Sequence, residues 1–132
     1  MPLVLVDVIR GHDEARLREL MDLVHDAVVT AFDVPDTDRY QILTQHEPFE
    51  IHALDTGLGF TRTRDLAIIR LVSKQRSEGA KQRLYELIAQ HAESRLGIST
   101  DDIIVTIVEN GAADWSFGQG VAQFLTGDLE QR

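Results

Sequence analysis

Residues 66–108 read LAIIRLVSKQRSEGAKQRLYELIAQHAESRLGISTDDIIVTIV, and the order of patterns in this stretch decides the fold. Leu66 to Val72 is an apolar run of strand length, rich in branched side chains. Ser77-Glu78 then offers a helix start. Leu84, Leu87, Ile88, Ala92 and Leu96 recur at helical spacing, and Gly97 supplies a stop. Ile103 to Val108 is a second apolar run. The stretch therefore predicts a strand, a helix and a strand in succession.

The same succession precedes it. Leu3 to Ile9 reads as a strand in which Asp7 is the one charged residue. His12-Asp13-Glu14 opens a helix that Asp13 can cap, with Leu17, Leu20, Met21, Val24, Ala27 and Val28 as its apolar stripe. Pro35 closes that region, and Tyr40 to Gln45 reads as a strand. The intervening Glu47 to Thr63 carries Pro48, Gly57 and Gly59, which predicts a loop or a short hairpin. At an offset of 64 residues the halves superpose without gaps: Leu20 falls on Leu84, Val24 on Ile88, Phe32 on Leu96 and Val34 on Ile98. The expected fold is α+β, a duplicated β-α-β unit forming a four-stranded sheet with two helices on one face. One domain is expected over 1–132, with repeat halves at about 2–46 and 66–110 and a C-terminal segment, 111–132. Ala67-Ile68-Ile69 and Ile103-Ile104-Val105 are apolar on both sides, so the second sheet face should also be covered, most simply by another subunit.

Composition narrows the function. The chain is 43% hydrophobic and 27% charged, as ordinary soluble domains are. A net charge of −9 argues against a nucleic-acid partner, and no basic cluster offsets it. No apolar run reaches the roughly 20 residues that span a bilayer, and the first residues lack the form of a secretory signal. No membrane association and a cytoplasmic location are the expectations. Without cysteine, thiol chemistry and Cys-based metal sites are excluded. The five histidines show no HExxH-type spacing, and His46 and His52 read as ordinary polar residues, so no metal and no cofactor is expected.

Pro2 stands out for a different reason. Initiator methionine is removed when the next residue is small, and proline qualifies. Removal exposes a secondary amine on a rigid ring at the start of a buried strand, where low dielectric disfavours the charged form. Such an amine serves as base or nucleophile when neutral and as acid when protonated. A retained Met1 would lock the same nitrogen into a tertiary amide. Proline after methionine is also common without consequence.

Several phrases bear on that choice together. The Pro2-Leu3 strand is followed in order by Val34-Pro35-Asp36-Thr37-Asp38-Arg39-Tyr40-Gln41, Asp55-Thr56-Gly57-Leu58-Gly59-Phe60, Arg76-Ser77-Glu78, Val108-Glu109-Asn110, Ala113-Asp114-Trp115-Ser116-Phe117-Gly118 and Phe124-Leu125-Thr126-Gly127-Asp128-Leu129. This series resembles the malonate semialdehyde decarboxylase branch of the tautomerase superfamily, over essentially the whole chain. The resemblance implies a tautomerase/MIF-like homotrimer, with sheets enclosing a central barrel. It implies Pro2 as catalytic amine, Asp38 as its acidic partner, and Lys74 and Arg76 as the cations that bind a carboxylate. Trp115, Phe117, Phe124 and Leu129 would wall the pocket. One departure stands out: where that branch has two arginines flanking a proline, this chain has Lys74-Gln75-Arg76, and lysine lacks the planar fork that grips a carboxylate.

The implied activity is cofactor-independent decarboxylation of malonate semialdehyde or a close 3-oxo acid. Alternatives are keto-enol tautomerisation of a 2-oxo acid such as phenylpyruvate, hydration of an activated unsaturated acid, a non-catalytic trimeric binding module, and a dimeric ferredoxin-like module. Read without the resemblance, Asp38 is a turn cap like Asp102, and Trp115 and Phe117 are core or oligomer contacts. A cation just before a helix, as at Arg76, is disfavoured by the helix dipole, which leans towards a function. Arg62 and Arg64 read as solvent-exposed.

Overall fold

Local capping chemistry bounds the two long helices. The computed structural model describes residues 1–130 and 132. Asp13 takes the Arg16 amide at 2.8 Å and starts α1 (Glu14–Phe32). Ser77 takes the Ala80 amide at 3.1 Å and starts α2 (Glu78–Leu96). Gly97, with φ of 65°, ends α2 in the left-handed region that glycine enters without strain. The strands are β1 (Pro2–Ile9), β2 (Tyr40–His46), β3 (Ala67–Lys74) and β4 (Ile103–Asn110), and a short α3 (Gln123–Thr126) follows.

The sheet order is β2-β1-β3-β4. Each β-α-β unit pairs its own strands in parallel, β1 with β2 and β3 with β4, and the units join through antiparallel β1 and β3. The predicted α+β fold is the observed one. Val4, Val6 and Val8 of β1 and Ala67, Ile69 and Leu71 of β3 pack under Leu20, Leu23, Val24 and Val28 of α1 and Leu84, Leu87 and Ile88 of α2. Both helices therefore cover one face.

Two expectations change in detail. β3 continues past Val72 to Lys74 and β4 past Val108 to Asn110, because main-chain pairing outlasts the apolar run: Ser73 pairs with Pro2 and Lys74 with Asn110. The repeat is also not gapless. Glu14 and Glu78, and Phe32 and Leu96, keep the offset of 64, but β1 buries even-numbered residues and β3 odd-numbered ones. The connection into α1 spans 10–13 and that into α2 only 75–77, and one residue reverses the face of every strand side chain.

The other sheet face carries Leu3, Leu5, Ile42, Ile68, Val72, Ile104 and Val108. It is interrupted by Asp7, which pairs with His46 at 2.7 Å and Arg70 at 3.0 Å. Ile42 is 52% and Val108 61% exposed, so this apolar surface lies uncovered on the single chain.

The segment between β2 and β3 is fixed to the turn before β4. Asp102 is fully buried, and its carboxylate takes the Thr63 amide at 2.6 Å and the Thr63 hydroxyl at 2.5 Å. Arg62 is half-buried rather than solvent-exposed: its guanidinium donates to the carbonyls of Leu54 and Asp101 and lies over Phe60. Arg64 is exposed, as expected. Among the described residues no helix is long and apolar enough to cross a membrane.

Candidate active site

The start of β1, the end of β3 and the residues before β2 meet at one rim of the sheet. Pro2 is the antiparallel partner of Ser73, so the three-residue link after β3 brings Arg76 directly to the beginning of the chain. Met1 is 1% exposed and fills this space. Its amino nitrogen is 3.0 Å from Asp38 Oδ2. Pro2 itself is fully buried, its nitrogen held in the peptide bond to Met1.

Arg76 spends its three nitrogens on neutral oxygens. Nε faces the Ser73 hydroxyl at 3.3 Å, Nη1 the Phe32 carbonyl at 3.4 Å, and Nη2 the Met1 carbonyl at 3.4 Å. The Phe32 ring lies 4.9 Å from the guanidinium carbon. Among the described residues no carboxylate pairs with Arg76. Burial pulls its pKa below the usual guanidinium value, and the nearby Asp38 charge only partly offsets this. Arginine remains charged under any ordinary condition, so a half-buried cation faces the Met1 carbonyl without a direct counter-ion.

Asp38 is held from two sides. Arg132 grips it with Nε at 3.0 Å from Oδ2 and Nη2 at 3.2 Å from Oδ1, and Oδ2 also faces the Met1 amine. Burial works against ionisation, but these hydrogen bonds outweigh it and hold the carboxyl below the ordinary range. The amino terminus is pulled below its ordinary value, chiefly by burial, with Asp38 opposing and the charges of Arg76 and Arg132 adding to the fall. Asp38 thus does more than cap a turn.

The aromatic residues form one cluster with Phe117 at its centre. Trp115 stacks on Phe117 at 5.5 Å, Phe124 meets it edge-on at 5.4 Å, and Tyr40 tilts against it at 5.6 Å. Trp115 Nε1 donates to Asn110 Oδ1 at 2.8 Å, and the Phe117 amide donates to Gln123 Oε1 at 2.9 Å. Lys74, beside Asn110 in the sheet, places Nζ 4.3 Å above the Phe124 ring. Burial first, and then the charge of Arg76, lower the Lys74 pKa.

Pro2, Asp38, Lys74, Arg76, Trp115, Phe117 and Phe124 thus converge at this rim. Leu129 lies half-buried in the tail, where its amide returns to the Gln123 carbonyl at 3.2 Å. Tyr40, Ser73, Asn110 and Arg132 belong to the arrangement without having been predicted. Elsewhere, a groove of about 740 Å³ runs between α1 and the edge strand β2, lined by residues including His12, Arg18, Met21 and Arg39 and by none of the predicted site residues. Among the described residues no cluster of His, Asp and Glu could hold a metal ion.

Comparison with known proteins decides the family. Two family models, each described as "Tautomerase enzyme", match residues 38–118 and 2–60. The chain belongs to the tautomerase superfamily. Within it, the chain falls in the branch like malonate semialdehyde decarboxylase. A solved malonate semialdehyde decarboxylase, described with decarboxylase and hydratase activities, superposes with a TM-score of 0.95 at 46% identity, over 96% of this chain and 98% of that one. "Probable tautomerase YrdN" of Bacillus subtilis (strain 168) is 52% identical over 129 residues, covering 98% of this chain and 100% of the relative. A "fused 4-OT wild type symmetric trimer" shares the fold at a TM-score of 0.77 and 20% identity, over 95% of this chain and 98% of that one. This tautomerase-superfamily chain is accordingly an enzyme of that group.

Proposed function

We propose that this tautomerase-superfamily enzyme, once Met1 is removed, uses the Pro2 amine with Asp38, Arg76 and Lys74 to decarboxylate malonate semialdehyde or a close 3-oxo acid. One observation carries the reading: the half-buried Arg76 guanidinium points Nη2 at the Met1 carbonyl, whose carbon is bonded to the Pro2 nitrogen. Removing Met1 leaves a void, a cation without a counter-ion and a secondary amine, all within one residue's length. A small oxo-carboxylate restores what Met1 supplied, an oxygen for Arg76 and atoms to fill the space.

In this reading Arg76 and the charge of Lys74 hold the carboxylate. Loss of CO2 leaves an enolate, and a protonated Pro2, or an iminium formed by Pro2, stabilises it. The apolar wall of Phe117 and Trp115 favours departure of neutral CO2 from a desolvated anion. Asp38 orients the amine, and Arg132 orients Asp38. The similarity to malonate semialdehyde decarboxylase supports the substrate class. Location in the cytoplasm fits such a small-molecule enzyme.

A second reading has its own support. Burial and the charges of Arg76 and Arg132 push the Met1 amine towards its neutral form, and a Pro2 amine freed at the same rim would meet the same charges, which suits a base for keto-enol tautomerisation of a 2-oxo acid such as phenylpyruvate. A base needs the neutral amine, so activity rises with pH through its pKa. An acid needs the protonated amine, and activity falls over the same range. CO2 release from malonate semialdehyde, compared with phenylpyruvate turnover across pH, separates them.

The assembly in this proposal is a homotrimer. Its support is the uncovered apolar sheet face and the trimeric relative of the same fold. Sheets from three copies would cover that face.

A further inference from the structure

We propose that His25 is a positioning residue for Asp38: from the buried face of α1 it anchors the turn that presents the Asp38 carboxylate to the amino-terminal amine. The inference rests on the reading above, in which Asp38 orients that amine, and adds the group that sets its place. His25 is 5% exposed and lies on a helix face otherwise made of Leu20, Leu23, Val24, Ala27 and Val28. Its Nε2 is 3.0 Å from the Asp36 carbonyl oxygen and 3.0 Å from Asp36 Oδ1. A carbonyl oxygen only accepts, so Nε2 carries the proton and donates.

Only two residues separate that bond from Asp38. The Asp38 amide donates to the Pro35 carbonyl at 2.9 Å and closes a tight turn over residues 35–38. The turn belongs to neither neighbouring element, because α1 ends at Phe32 and β2 begins at Tyr40. Beyond Asp38 the ties to α1 are of other kinds. Arg39 meets Asp22 at 2.8 Å in an exposed ion pair, a contact that contributes little. Gln41 donates to the Met21 carbonyl at 2.8 Å, but β2 already holds it through its pairing with Val4 of β1. His25 supplies the tie with a buried donor, and a hydrogen bond in low dielectric is the stronger restraint.

Two sets of contacts then divide the task. Arg132 and the amino terminus engage the carboxylate oxygens of Asp38. His25 fixes the main chain from which that carboxylate hangs. Its loss frees the turn to move, and a misplacement of about 1 Å is enough to slow a catalysed step severalfold or more.

The test joins kinetics to a titration, on protein shown by intact mass to lack Met1. His25→Leu and His25→Phe remove the donor and suit a buried position, while His25→Gln keeps an N–H for the Asp36 carbonyl. Urea unfolding confirms that the variants compared are folded. With malonate semialdehyde, kcat should fall roughly tenfold in the donor-free variants, with KM within about threefold because Arg76 and Lys74 hold the carboxylate. His25→Gln should restore most of the rate. In an Asp38→Asn background His25→Leu should cost nothing further, as a residue acting through Asp38 requires. Carbon NMR titration of Asp38 needs no substrate: its pKa should rise in His25→Leu, as the carboxylate leaves its donors, and keep the parent value in His25→Gln. An equal loss of rate with and without the Asp38 carboxylate, or an Asp38 that titrates in His25→Leu as in the parent, overturns the inference and leaves the decarboxylase reading standing. No CO2 release from the parent, with the Asp38 pKa raised in His25→Leu, supports the placement of Asp38 by His25 and overturns decarboxylation instead.

Discussion

Arg132 holds Asp38 by two hydrogen bonds, at 3.0 and 3.2 Å, and shares Asp38 Oδ2 with the amino terminus. The residues are 94 positions apart, and both act on the Met1 amine, together with burial and the charge of Arg76. Replacing Arg132 with Gln takes away one cation that lowers the pKa of the Met1 amine, and that a Pro2 amine freed at the same rim should also meet, and one donor that lowers the Asp38 pKa. Both values should rise. The pH profile of kcat/KM should therefore shift upwards in Arg132→Gln, while a merely structural contact would change the rate without moving the profile.

Asp38 also makes stability depend on pH. Its folded-state pKa lies below the ordinary value, so the pairing contributes stability above an unfolded pKa of about 4. That contribution is lost as pH falls through the folded value. Asp38→Asn should be less stable than the parent near neutral pH, and the gap should close on acidification. Urea midpoints at a series of pH values measure this. A gap that stays constant with pH would contradict the ion-pair account.

The fully buried Asp102 makes a structural prediction. Asp102→Ala leaves the Thr63 amide without its acceptor and removes a side chain with no exposure. A cost of about 1–3 kcal/mol follows from the unsatisfied buried donor. Denaturant unfolding should show it, with loosening of residues 60–64 seen as faster amide exchange. A loss below the lower figure would mean that the pairing is solvent-compensated.

Ile42→Glu tests the assembly. Placing a charge on the uncovered apolar sheet face should leave the monomer folded, because Ile42 is already half-exposed and packs on neither helix. Native mass should fall from trimer to monomer. An unchanged trimer would show that this face is not the interface.

Much of the fold was legible because its signals are local. Asp13, Ser77 and Gly97 each cap a helix through atoms a few residues away, and the apolar stripes of α1 and α2 point at the sheet in plain 3.6-residue period. The extension of β3 to Lys74 was not legible: Ser73 and Lys74 are polar, and their strand character comes from partners 71 and 36 residues distant, Pro2 and Asn110. The missing residue in the second connection was hidden for a related reason. Ile68, Ile69, Leu71 and Val72 are all apolar, so the sequence alone does not show which parity faces the helices.

At the site, Pro2 stood out from the chemistry of a terminal proline amine and Arg76 from its place before a helix, whereas Asp38 and the aromatic residues were named through resemblance. Ser73, Tyr40 and Arg132 escaped notice because lone polar or aromatic residues carry no signature until the chain brings their partners near. Arg62 was misjudged since nothing near it in sequence foretells acceptors at Leu54 and Asp101.

The most direct measurement is CO2 release from malonate semialdehyde by three preparations matched for folding: protein with Met1 removed, protein retaining Met1, and Pro2→Ala. Met1 occupies the space between Asp38 and Arg76, so rapid release is expected from the first alone, with the others reduced at least a hundredfold. Equal release from protein that keeps Met1, or from Pro2→Ala, would contradict a mechanism centred on the Pro2 amine.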